Sequence, residues 1–163
     1  METKPSLDQA AAHRYFAVEC FNRAWDLMDK PQRTAEEDEE MLRLSLSSHW
    51  HWTQREDCEP SNRSAAYWQS SRIYALLGRA DGARRHGQFS LEWSQEEGVL
   101  PFYVGYAYEA LARAELVAGN RAELVAGNRA KMEEYLAAAR RVSESIVDPE
   151  AKQMLLADLE TIR

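Results

Sequence analysis

Apolar side chains recur in this chain at helical spacing, and this periodicity constrains the fold more than any other feature of the sequence. Ala, Leu, Glu and Arg are abundant, Gly and Pro number only 7 and 5, and apolar runs rich in β-branched residues are missing. Such a composition favours helix over strand. The first segment shows steps of three to five residues between apolar positions, which places them on one helix face. These positions are Ala10, Tyr15, Phe16, Cys20, Phe21, Ala24, Trp25 and Met28.

Capping and turn residues divide the chain into about seven predicted helices. A capping box of Ser6 and Gln9 predicts the start of the first helix, and a second box of Thr34 and Glu37 predicts the start of the second. The helical pattern of the second helix ends in a polar stretch over residues 54–60. The remaining helices are predicted after Ser61-Asn62 up to Gly78, over about 80–97, from Pro101 onward, over about 129–146, and from Asp148-Pro149 onward.

The octapeptide Arg-Ala-Glu-Leu-Val-Ala-Gly-Asn occurs twice in tandem, at residues 113–120 and 121–128. Each copy ends in Gly-Asn, a pair that favours a turn, so the repeat marks the reversal between the fifth and sixth helices. Two arrangements are open. The fifth helix runs on to Ala126 and turns at Gly127-Asn128, or it turns at Gly119-Asn120 and the sixth helix begins early. We expect the first, and deletion of residues 121–128 should leave the fold intact.

Length and charge limit the class of protein. A chain of 163 residues suits a single helical-repeat domain, here residues 1–163. Its net charge of −7 disfavours binding to nucleic acid. No apolar run reaches the roughly 20 residues that a membrane span requires, and the N-terminus lacks the apolar core of a signal peptide. We therefore expect a cytoplasmic protein that binds neither nucleic acid nor membrane.

The helices are expected to form antiparallel hairpins over about 6–54, 61–98 and 101–146, followed by a cap helix over 148–163. Two stretches look alike: residues 74–83 and residues 116–122 each have an apolar helix end, a Gly and a polar turn. Hairpins repeated along a chain bury their apolar faces on their neighbours. The predicted fold class is therefore all-α, with the hairpins stacked as a short right-handed solenoid.

This arrangement resembles the tetratricopeptide-repeat superfamily. With Gly78 aligned as the turn glycine, the matching positions of the repeat are Tyr67, Tyr74 and Ala83 in one hairpin and Tyr108, Leu111 and Ala139 in the next. Ser70 and Ser71 stand where the superfamily has Leu-Gly, and Gly87 stands where it has an aromatic residue. The resemblance implies a tetratricopeptide-like fold with degenerate repeats.

A narrower resemblance covers most of the chain. Four stretches look like a family of uncharacterised bacterial helical-repeat proteins: residues 49–50, 71–79, 107–114 and 155–159. That family has no assigned activity, so the resemblance implies the fold and adds little about function.

No motif in the sequence indicates catalysis or a bound cofactor. The serines lack a Gly-x-Ser-x-Gly setting, neither Cys20 nor Cys58 has a histidine in a recognisable motif, and the glycines are scattered at turns. We expect no enzyme activity, no cofactor and no metal.

An alternative function centres on the segment His49-Trp50-His51-Trp52. Two histidines beside two tryptophans would suit a small-molecule or metal-dependent activity, with His13 or Cys58 as a further ligand. However, residues two apart on a helix point to different faces, so His49 and His51 cannot chelate one ion together.

The expected function is instead a non-catalytic interaction module that binds a protein or peptide partner in a concave helical groove. In the superfamily that the chain resembles, the first helix of each hairpin lines such a groove. Carried over by position, the partner-binding candidates are Trp68 and Arg72 on the third helix and Tyr106, Glu109 and Arg113 on the fifth.

Three alternatives stay open for these residues. Trp68 and Tyr106 would serve equally well in packing between helices. Arg72, Glu109 and Arg113 would also suit an internal salt-bridge network, in which Arg72 and Glu109 are the pair expected to meet. A groove filled by such pairs would argue against peptide binding. Exposed apolar surface would also allow a homodimer.

Overall fold

The computed structural model describes residues 8–119 and 125–162, which form seven helices and no strands. The helices are α1 (Gln9–Met28), α2 (Ala35–Thr53), α3 (Pro60–Leu76), α4 (Ala80–Ser94), α5 (Pro101–Gly119), α6 (Val125–Ser143) and α7 (Pro149–Glu160). The all-α prediction is therefore confirmed for the described residues. No helix in the described part of the chain is both long enough and apolar enough to cross a membrane.

The helix starts show which capping signals the chain uses. The predicted capping box at α2 is confirmed, because Thr34 Oγ1 accepts from Glu37 N and Glu37 accepts from Thr34 N. At α1 the prediction was wrong. Asp8 is the cap, and its carboxylate accepts from Ala11 N at 3.0 Å. Ser6, the predicted cap, lies outside the described residues.

Proline and glycine mark several of the other boundaries. The third helix begins at Pro60 rather than after Ser61-Asn62, because a proline needs no backbone hydrogen-bond donor in the first turn of a helix. Gly78 and Gly98 adopt the positive φ angles of 68° and 83° that favour glycine where a helix ends. Asp148 caps α7 through Glu150 N, as the sequence predicts.

The chain divides into two compact units, Met1–Cys58 and Glu59–Arg163. In the first unit α1 and α2 pack against each other as a hairpin. Small buried residues line the contact, and Ser48 Oγ donates to the carbonyl oxygen of Ala17 at 2.7 Å. Such a bond requires the two helices to approach closely, so the small residues define the hairpin's spacing.

In the second unit each helix from α3 to α6 packs against the next, and α6 packs against α7. The helices α3, α5 and α7 also contact one another in that order, α3 with α5 and α5 with α7. The fifth helix therefore lies at the centre of this unit. It also holds the longest run of buried positions among the described residues, from Gly105 to Ala112 with only Tyr108 partly exposed.

Small residues bring α3 and α4 together. Ser64 and Ser90 each donate a hydroxyl to the other's carbonyl oxygen at 3.0 Å. Ser71 Oγ donates to the carbonyl oxygen of Ala83 at 2.7 Å. A Cβ atom at Gly87 would lie 3.0 Å from the nearest side-chain atom of Leu111 and 3.3 Å from Ser71 Oγ. The residues that depart from the tetratricopeptide pattern, Ser71 and Gly87, thus face each other across this contact.

The tandem octapeptide is divided between α5 and α6. The fifth helix ends at Gly119, in the first copy, and the sixth begins at Val125, in the second. Gly127 and Asn128 lie inside α6, so the expectation that they form the turn was wrong. Residues 120–124, which include Asn120 of the alternative turn, lie outside the described residues.

A polar contact joins Asn128 of α6 to α4 and α5. Arg84 on α4 binds the carboxylate of Glu115 on α5 through two bonds, Nε to Oε1 at 2.7 Å and Nη2 to Oε2 at 2.8 Å. The same guanidinium donates to Asn128 Oδ1 at 3.2 Å. Glu115 and Asn128 are both buried. The contact therefore connects α4, α5 and α6 through side chains of all three helices.

Candidate functional site

The five predicted partner-binding residues converge in the second unit on one buried carboxylate. Glu109, on α5, is fully buried. Trp68 Nε1 donates to its Oε2 at 3.0 Å, and Arg72 Nη1 donates to its Oε1 at 2.6 Å. Arg113, one turn further along α5, donates to the same Oε1. The predicted Arg72–Glu109 pair is confirmed. We call these four residues and Tyr106 the Glu109 network.

The network extends from α5 to α7. Arg113 Nη2 donates to the carbonyl oxygen of Asp158 at 3.1 Å and to Thr161 Oγ1 at 2.7 Å. The Tyr106 hydroxyl donates to Asp158 Oδ2 at 2.9 Å. Burial and the hydrogen bond to this carboxylate raise the pKa of Tyr106 well above its ordinary value, so the phenol stays protonated as a donor. The helices α3, α5 and α7 are therefore joined by one set of charged and polar contacts.

The Glu109 network faces inward. Trp68 and Tyr106 are buried, and their rings meet edge to face at a centroid distance of 5.3 Å. The side chains of Arg72 and Arg113 are 23% and 14% exposed. A partner in a groove on these helices would meet only the outer edges of the two guanidinium groups. This is the internal salt-bridge network that the sequence offered as the rival to a binding groove.

The histidines of the alternative function do not act together. Residues two apart on a helix are separated by about 200° around its axis, and His51 rather than His49 turns toward α1. There His13 Nδ1 and His51 Nδ1 lie 2.9 Å apart. Burial, followed by the proximity of His13, lowers the pKa of His51. Among the residues that the structure describes, no group of three or more His, Cys, Asp or Glu side chains could hold a metal ion.

The histidine pair lies within a larger group of rings on the first unit. Phe16 contacts His51 and Tyr15, with centroid distances of 5.3 and 5.1 Å. Trp50 contacts both histidines, with centroid distances of 5.3 Å to His13 and 4.9 Å to His51. Tyr15, Phe16 and Trp50 are 59%, 43% and 55% exposed. We call these three side chains the aromatic surface.

A cleft of about 800 Å³ lies in the same unit between the start of α1 and the segment after α2. His13, Arg14, Arg55 and Asp57 are among its lining residues. Arg55 binds Asp57 through two bonds of 2.8 Å, and Arg14 binds it at 3.0 Å. These contacts, the Arg55 hydrogen bond above all, lower the pKa of Asp57 to about 2. The cleft thus holds two arginines on one permanently ionised carboxylate.

Sequence reasoning missed the aromatic surface, although its residues are visible in the helical pattern. Tyr15, Phe16 and Trp50 fall at positions that an amphipathic reading assigns to a core. The signal that distinguishes them is the neighbouring Ala17, Cys20 and Ala24, which are small and fill the actual contact between α1 and α2. Because small residues already occupy that contact, the larger rings beside them are left on the surface.

Comparison with known proteins supplies no relative. Neither the protein-family models nor the curated proteins nor the solved structures give a match to this chain.

Proposed function

We propose that this chain is a non-catalytic protein-interaction module of the cytoplasm, and that the aromatic surface of its first hairpin is the principal contact for a protein or peptide partner. The observation that carries the proposal is the exposure of three aromatic side chains, Tyr15, Phe16 and Trp50. Tyr15 contacts Phe16, and Phe16 and Trp50 both contact the ring of His51. Contiguous exposed apolar surface is uncommon on monomeric proteins and is typical of binding sites. Tryptophan and tyrosine are also the residues that most often dominate binding energy.

The surroundings of the aromatic surface suit a protein partner. Leu46, on α2, and Val18, on α1, add exposed apolar area to the same hairpin. Arg14 is 70% exposed and ends in the neighbouring cleft. Apolar rings with a charged margin are the usual arrangement of an interface core and its rim.

A tetratricopeptide-like stacking of the second unit is part of the proposal. Its support is the set of contacts between helices. Each helix packs on the next, and the alternate helices pack on one another, α3 on α5 and α5 on α7. Stacked hairpins produce that order of contacts. We assign the Glu109 network to the stiffness of this stack rather than to direct recognition, because its carboxylate and its two large rings are buried.

The proposal is tested by replacing Trp50 with alanine. The variant should lose at least about tenfold in capture of a partner from a native extract, because a central aromatic side chain in an interface commonly contributes 2 kcal/mol or more. Val147→Ser is the matched control, since Val147 is 95% exposed and lies in the second unit. The control should capture as much as the wild-type protein.

Two results would contradict the proposal. One is unchanged capture by a Trp50→Ala variant that folds as the wild type does. The other is equal loss in the Trp50 and Val147 variants, which would mean that any exposed apolar residue matters. Circular dichroism and thermal unfolding establish that both variants are folded before capture is compared.

A further inference from the structure

We propose that His13 and His51 form a binding site for a divalent transition-metal ion of the Ni²⁺ or Cu²⁺ class, with one imidazole nitrogen from each helix as a ligand. The inference does not depend on the proposed partner binding. It rests on the distance of 2.9 Å between His13 Nδ1 and His51 Nδ1.

The separation of the two nitrogens fits two ligands of one metal ion. Two nitrogen ligands at right angles, each about 2.0–2.1 Å from the metal, lie about 2.9 Å apart. A tetrahedral pair at the same bond length lies about 3.3–3.4 Å apart. The observed spacing matches the right-angle arrangement that tetragonal Cu²⁺ and Ni²⁺ sites use. The ring centroids are 5.0 Å apart, so the two nitrogens now face each other, and both side chains reorient when they bind one ion.

The two imidazoles are also in a suitable chemical state. A hydrogen bond between two ring nitrogens requires a lone pair on one of them, so at least one Nδ1 is already unprotonated. The neutral imidazole is the form that binds metals. When a metal ion binds both Nδ1 atoms, the ring that donated the hydrogen bond takes its proton at Nε2 instead, by exchange with water, and both rings stay neutral.

The helices hold the pair in place. His13 and His51 belong to α1 and α2, which are joined by the short bond from Ser48 to Ala17 and by their small buried residues. Ligands on packed helices lose little freedom on binding, which favours a chelate. Phe16 and Trp50 pack beside His51, while His13 also lines the open cleft. Water can therefore reach the ion and fill the positions that no third protein ligand takes.

The test is calorimetric titration of the tag-free full chain with NiCl₂. Wild-type protein should bind one Ni²⁺ per chain. His13→Gln and His51→Gln should each weaken Ni²⁺ binding by at least roughly 10–100-fold. That is the loss caused by removing a residue that only hydrogen-bonds to a metal ligand, and removing the ligand itself should cost no less. His49→Gln is the matched control, because His49 lies two residues from His51 on the same helix and so points to a different face. Mg²⁺ should not compete, since it prefers oxygen ligands.

A second measurement needs no variant. In nuclear magnetic resonance spectra of the wild-type protein, substoichiometric Ni²⁺ should broaden the imidazole signals of His13 and His51 first. The absence of saturable Ni²⁺ binding would overturn the proposal. Equal affinity in folded His13→Gln protein, or first broadening at another histidine, would overturn it as well.

Discussion

At the scale of single residues, Glu109 explains most about the second unit. A carboxylate with no exposure to solvent must be paired and fully hydrogen-bonded, because an isolated buried charge is very costly. Glu109 receives an indole N–H and two guanidinium groups. Such charge-assisted bonds are the stronger hydrogen bonds of proteins. The residue therefore acts as the common acceptor for side chains on α3 and α5.

Removing Glu109 should cost more stability than removing one of its partners. Glu109→Ala leaves the Trp68 N–H and two guanidinium groups without their acceptor, and we expect a loss of about 3–5 kcal/mol in the free energy of unfolding. Arg72→Met leaves Glu109 bound to Trp68 and Arg113, so about 1.5–3 kcal/mol is expected. Urea unfolding measures both. The account would be contradicted if Glu109→Ala lost less unfolding free energy than Arg72→Met.

Tyr106 should make stability depend on pH in the alkaline range. Its folded pKa is raised, so its contribution is fully present below the ordinary tyrosine pKa and is lost as the pH rises toward the folded value. The difference in unfolding free energy between the wild type and Tyr106→Phe should shift against the wild type from pH 9 to about pH 11. Other tyrosines cancel, because both proteins contain them. A difference that stays constant over this range would show that Tyr106 ionises alike in both states.

At the scale of helices, the tandem octapeptide shows how the fold accepts an insertion. The bond from Arg84 to Asn128 and its paired bonds to Glu115 join α4, α5 and α6. Glu115 belongs to the first copy and Asn128 to the second. The contact therefore uses one residue from each copy.

Deletion of residues 121–128 should leave this contact possible. The shortened chain carries Asn120 directly before Arg129, where Asn128 stood, so the sequence Gly-Asn-Arg-Ala is preserved at the start of the sixth helix. We expect an unchanged fold by circular dichroism and a change in unfolding free energy within about 1 kcal/mol, as for a surface change away from the core. A loss of several kcal/mol would mean that the extra residues pack against the rest of the unit.

The helices could be predicted from sequence more completely than the contacts between them. Thr34, Gly78, Gly98 and Asp148 act through their neighbours in the chain, so local chemistry identifies them. The Arg72–Glu109 pair was predicted because repeat alignment placed two opposite charges on adjacent stacked helices. The inward-facing Tyr106 and Trp68 have distant partners, Asp158 at 52 residues from Tyr106 and Glu109 at 41 residues from Trp68.

The candidate site was harder to predict for the same reason. His13 and His51 are 38 residues apart, and neither has metal-binding spacing with its neighbours. Their approach follows from the register of α1 on α2, which small residues such as Ala17 and Ser48 determine. Periodicity identifies a helix face but does not show which of its side chains remain exposed. The aromatic surface is therefore a product of packing rather than of any motif.

At the scale of the whole molecule, the two units have different tasks in this account. The second unit is stabilised by buried charged networks around Glu109 and Glu115. The first unit carries the aromatic surface and the histidine pair. Exposed rings on a packed hairpin suit a binding module, because a preorganised surface loses less entropy when a partner binds.

The most direct test of this division is the dissociation constant of a captured partner, measured for Trp50→Ala and Arg72→Met side by side. We predict at least about tenfold weaker binding for Trp50→Ala. Arg72→Met should bind within about twofold of the wild type at a temperature where it is folded, because its role is stability. Weaker binding by Arg72→Met together with unchanged binding by Trp50→Ala would contradict the account and return recognition to the groove of the second unit.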